Sequence, residues 1–177
     1  MPLSFSPSRR PVTAALVLLL AACSPVFNWR EAPIGNAGLV ALLPCRPDRA
    51  TRTIVLGNAS VDVTMAGCNA GNATFAVAQV MAGSRAQADA WLAMWRTQTR
   101  DSWRGATLDE ASVAVPRADT APPAQRLGAK SDTARIAVLW FSQAQADGRV
   151  ALYQATLLGE PAEPGAAPTF FEGLRLP

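Results

Sequence analysis

Histidine does not occur anywhere in this chain of 177 residues; lysine occurs once, at Lys130, and tyrosine once, at Tyr153. Without histidine the chain lacks the commonest general base, the commonest zinc ligand and the usual partner of a serine or cysteine nucleophile. Chemistry built on carboxylate pairs remains open. However, Asp101, Asp109, Glu110 and Asp132 stand in polar surroundings typical of loops and helix ends, where carboxylates are normally solvated. No catalytic residue, metal-ligand set or cofactor motif is therefore read from the sequence. An apolar run of about 20 residues, the length needed to cross a bilayer, is also missing. The run Val12–Ala22 reaches only eleven.

That run has a different use. It follows Arg9 and Arg10 and ends at Leu20-Ala21-Ala22-Cys23, the shape of a secretory leader with small residues before the cut. The four residues resemble the lipobox of bacterial lipoproteins. The resemblance implies removal of residues 1–22, acylation of Cys23, and a membrane anchor of acyl chains rather than a spanning helix. An ordinary secretory signal with an incidental cysteine is the alternative. Ser24 follows the cysteine where family members retained at the inner membrane carry aspartate, which points to the outer membrane. The expected location is the bacterial cell envelope, facing the periplasm.

Removal of residues 1–22 leaves 155 residues, enough for one domain with a real core, and 14 basic side chains against 13 acidic ones. A balance so close to neutral gives no electrostatic case for nucleic acid. Cys45 and Cys68 are then the two remaining thiols, and in an oxidising compartment they are expected to pair. Two free buried thiols are the alternative. Cys45 ends "GLVALLPC" and Cys68 ends "SVDVTMAGC", so each is expected where a strand leaves its sheet.

After a tether over 23–28, with Trp29 taken as the start of the folded part, strand signals fall at Leu39–Leu43, Arg52–Leu56, Val61–Ala66 and Thr74–Met81. Turn formers separate them, among them Pro44, Pro47, Gly57-Asn58 and Gly67. This spacing predicts a four-strand antiparallel meander. Ser84 and Gln87 then form a capping-box pattern, and Gly105 closes a predicted helix of about twenty residues. Ala88, Trp91, Leu92, Trp95 and Thr99 share its apolar face. Arg96, Arg100 and Arg104 line the opposite face. They read either as a patch for an acidic partner or anionic headgroups, or as a solvated face partly neutralised by Asp89 and Asp101. Residues 116–133 read as a proline-rich connection with room for a short strand at "AQRLG". Two strands, Arg135–Ser142 and Arg149–Leu158, form a hairpin around Asp147-Gly148. Phe170, Phe171, Leu174 and Leu176 are expected on a short terminal helix capping the core.

The order "ALLPCRP", meander, long helix, "ALYQATLLG" and "TFFEGLRL" resembles the PsbP-like proteins of photosystem accessories and bacterial lipoproteins. The resemblance spans roughly residues 27–177. It implies an α/β (α+β) fold: an antiparallel sheet flanked by a long amphipathic helix and a short C-terminal helix, an α/β/α sandwich, as one domain over 29–177. It also implies a binding or assembly role with no shared catalytic set. The expectation is a monomeric, membrane-anchored accessory module with an envelope protein as partner. An envelope enzyme using carboxylates in a small-molecule cleft is the alternative.

Overall fold

The structure, a computed structural model, describes residues 26–177. The leader, Cys23 and the next two residues of the tether lie outside the described residues. Among the described residues, ten strands form two antiparallel sheets. The smaller has the order β1-β2-β10, with β1 at Arg30–Ile34, β2 at Leu39–Leu43 and β10 at Leu174–Arg175. The larger has the order β3-β4-β5-β9-β8-β7-β6. Its strands are β3 (Asp48–Leu56), β4 (Ala59–Ala70), β5 (Ala73–Ala82), β6 (Thr107–Val113), β7 (Ala124–Lys130), β8 (Arg135–Ala144) and β9 (Val150–Gly159). Helix α1 spans Arg85–Ser102 and α2 spans Ala166–Glu172.

This overturns the α/β/α sandwich. The described residues are mostly β, with 51% of them in strands and 16% in helices. The helical layer expected on one side of the sheet is replaced by the three-stranded sheet, with α2 beside it. The physical reason lies at the two ends of the folded chain. Leu39, Ala41 and Leu43 of β2 point inward and are fully buried, but β2 pairs with β1 and β10 instead of β3. Pro44 and Pro47, which cannot donate to a ladder, interrupt the chain between β2 and β3. The meander is therefore β3-β4-β5, and the strand before it belongs to the other sheet. Leu174 likewise leaves the predicted terminal helix and pairs with Ala41.

Each face of the large sheet has its own core. On one face Phe75, Val77, Phe141, Tyr153 and Leu157 pack against Ile34, Leu39, Leu43 and Phe170. On the other, Val80, Val138, Trp140 and Leu152 pack against Trp91, Leu92 and Trp95 of α1. Alternation along β5 sends odd and even residues to opposite faces, so this central strand is apolar at nearly every position. The two covers are offset along the sheet. In β4, Val63 is buried under the helix whereas Ala66 is buried under the small sheet.

Helix α1 begins where its capping pattern says. The Ser84 hydroxyl accepts from the Gln87 N–H at 3.3 Å, and Gln87 Oε1 accepts from the Gly83 N–H at 2.7 Å. The side-chain bond thus returns to the residue before the cap. Gly105, at φ +89°, turns the chain out of the helix into β6.

Cys45 and Cys68 form a disulfide, with Cα atoms 6.0 Å apart. Cys68 lies inside β4, opposite Phe75, rather than at a strand end. Because Cys45 directly follows the β2 segment, the bond fastens the small sheet to the large one.

Candidate functional site

A largely apolar cleft of about 470 Å³ lies between the C-terminal end of β6 and the α2–β10 corner. Its walls include Val113, Val115, Leu139, Phe171 and Leu174, and its polar groups are Arg126 and Glu172. A shallower depression of about 290 Å³ lies on the other side of the same 113–115 segment. The volume suits a small ligand or a few side chains.

Each wall has a local cause. Val113 ends the edge strand β6, paired with Ala124. Leu139 comes from β8, and its neighbours Val138 and Trp140 point into the opposite core. Phe171 sits on α2 with its ring centroid 5.0 Å from that of Phe170, which anchors the helix by an edge contact on Phe75.

The loop 114–123, which forms one rim, is held by Asp119. Asp119 Oδ2 accepts from Arg85 Nη2 at 2.5 Å and from the Ser142 hydroxyl at 2.7 Å, and its Oδ1 accepts from the Ala144 N–H at 3.1 Å. Burial pushes the Asp119 pKa up. The bonds from Arg85, Ser142 and Ala144 outweigh it and hold the carboxyl below its ordinary range. Ser142 is 2% exposed and fully engaged, with no histidine to activate it, so the cluster positions the loop. Sequence reasoning passed over both residues. The only signal was Ser142, a polar residue inside the apolar run "AVLWFSQA"; Asp119 stands in a proline-rich stretch without pattern.

The four acids weighed as candidates do not converge. Asp101 pairs with Arg104 at 3.0 Å and Asp109 with Arg126 at 2.7 Å. Glu110 takes a two-pronged bond from Arg100, and Asp132 lies in the β7–β8 turn. The Arg100 guanidinium holds the Glu110 carboxyl below its usual range. These pairs also bear on the arginine face of α1. Arg100 and Arg104 are each tied to a carboxylate within this chain. Arg96 is half-buried, and burial, then the neighbouring Arg100, lowers its pKa against the pull of Glu110. Two of the three charges on that face are thus met by carboxylates of this chain, while Arg96 stays charged and half-buried. Among the described residues, no group of three or more candidate ligands gathers to hold a metal ion. No helix among them is long and apolar enough to cross a membrane.

No protein-family model matches the chain, and no curated protein matches it.

Proposed function

We propose that this chain is a lipid-anchored, non-catalytic binding module of the bacterial envelope, held through acyl chains on Cys23 in the outer membrane and facing the periplasm. Its working surface is the cleft beside β6, which takes apolar side chains of an envelope partner. The observation that carries this reading is the chemistry of the cleft: seven apolar lining residues, one guanidinium and one carboxylate. A single lining carboxylate, with the guanidinium already paired to Asp109, orients a ligand but supplies no acid–base pair. The neighbouring strand β6 supports the reading. It is a sheet edge with unpaired backbone groups on its outer side, a rail along which an extended segment can lie. Support for the anchor comes from the leader and Leu-Ala-Ala-Cys alone.

Mass spectrometry of the native protein tests the anchor: a chain beginning at acylated Cys23 is expected, and a cytosolic chain with Met1 and no lipid would refute it. Anilinonaphthalene sulfonate, whose apolar rings suit the cleft walls, tests the cleft. Saturable binding is expected in the folded protein and should be lost in Val115→Trp, which fills the cleft. Unchanged binding in that variant would remove the cleft from the proposal.

A further inference from the structure

The end of the domain built from the β4–β5 turn, the β7–β8 turn and the loop before α2 rests against lipid headgroups, we infer, and the cleft therefore opens clear of the bilayer. This rests on the anchor proposed at Cys23 and adds which part of the surface meets the membrane. The argument starts from how little chain separates anchor and fold. Phe27 is 7% exposed, its ring stacked on Trp29 at 5.8 Å and set edge-on to Phe75 at 6.2 Å. The next residue is pinned as well, the Asn28 N–H donating to the Pro44 carbonyl at 2.7 Å. Only Ser24, Pro25 and Val26 stand between Phe27 and Cys23. Four Cα steps span about 14 Å when fully extended. A ten-residue strand of the large sheet runs about 33 Å. With its tether less than half as long as the sheet, the domain cannot stand away from the anchor or present its far end to the same bilayer.

The docking site of Phe27 identifies the near end. A Cβ on Gly71, in the β4–β5 turn, would lie 2.5 Å from the Phe27 ring, and the Gly71 carbonyl accepts from the Ala162 N–H of the loop before α2 at 2.7 Å. Asn72, Lys130, Asp132 and Glu160 border one shallow depression there. Lys130, Asp132, Arg135 and Glu160 border that depression, with Arg135 paired to Glu160 at 3.0 Å, so the charges are mixed and the orientation follows from the tether rather than attraction. At the opposite end stand Gly57-Asn58, Gly83-Ser84 and the Gln145–Gly148 turn, with the 114–123 rim of the cleft.

Lys130, the single lysine, is exposed at the near end and makes the test specific. The full gene product recovered from membranes is reconstituted in vesicles of phosphatidylethanolamine and phosphatidylcholine and treated with a short amine-to-amine cross-linker. Peptide mass then locates any lipid adduct. An adduct at Lys130 is expected, undiminished in high salt, and it should be lost when the lysine is moved to the far end in Lys130→Arg/Arg149→Lys. Equal adducts at the two positions, or an adduct only at the far one, would overturn the inference. A second preparation couples the Cys23 thiol of the unprocessed full chain to a maleimide phospholipid and is read in the same way. Should the native protein carry no lipid mass, the anchor fails, while this preparation still decides which end meets the headgroups.

Discussion

The two faces of the large sheet are closed by different means. The face under the small sheet joins both ends of the folded chain, Phe27 and Leu176 included, and is stitched by aromatic contacts and the Cys45–Cys68 bond. The face under α1 is covered by one contiguous helix whose ends are tied down by charge, Arg85 to Asp119 at its start and Arg100 to Glu110 near its finish. One cover is therefore sensitive to cavities and reductant, the other to pH and salt. A single sheet can carry two covers of unequal character because its strands alternate sides and each side is dried independently.

Breaking the small-sheet core should cost most. Phe75 is fully buried and meets Phe27, Trp29 and Phe170, so Phe75→Ala should destabilise by about 4 kcal/mol in urea unfolding. Leu92→Ala under the helix should cost about 3 kcal/mol. A larger loss at Leu92 would reverse the comparison. Next comes the staple: replacing both Cys45 and Cys68 by alanine releases a constraint across a separation of 23 residues and should cost about 3 kcal/mol. Reductant should lower the unfolding temperature of the parent and leave that of the double variant unchanged.

On the helix side, Asp119→Ala should cost about 2 kcal/mol through the loss of charge-assisted bonds. The sign of the pH effect follows from the depressed pKa of Asp119. Its contribution is complete above the unfolded carboxylate value of about 3.9 and is lost as pH falls through the lower folded value. The parent should therefore lose stability more steeply than the variant below about pH 4, and parallel curves would show that the network does not stabilise the fold. Smallest of all, Glu110→Gln should cost about 0.5 kcal/mol, because the pair it breaks is about one-third exposed and screened. High salt should erase that difference.

Much of the framework was legible. β2 begins and ends where its apolar run does, and β8 and β9 fall within two residues of the ranges expected from their apolar content and the Asp147-Gly148 turn. The start of α1 was written in Ser84 and Gln87. Three strands escaped notice: β10 was read into the terminal helix, and the other two were missed for opposite reasons. β1, "REAPI", turns only Ala32 and Ile34 inward, too short an alternation to register. β6, "TLDEASV", is an edge strand exposed along most of its length, so no apolar period marks it. The cleft was invisible for the same reason, since β6 forms its lip and its walls come from segments far apart in the chain. Arg96, Arg100 and Arg104 were legible as a row on one helix face. That two of them are spent on carboxylates, one across to β6, was not, because sequence spacing along a helix says nothing of a strand folded beside it.

Taken alone, the sequence determined where most of the strands and the long helix run, which side of each of these is dry, and that Cys45 and Cys68 are suited to pair, since all three follow from local periodicity and residue chemistry. Only the tertiary structure decided what covers each dry side: a second sheet on one face, a helix on the other, and a disulfide between layers instead of within one. The reason is that a buried stripe records the loss of water and not the identity of whatever displaced it. That identity is set by contacts between residues more than a hundred positions apart, such as the Tyr153 hydroxyl donating to the Ala37 carbonyl.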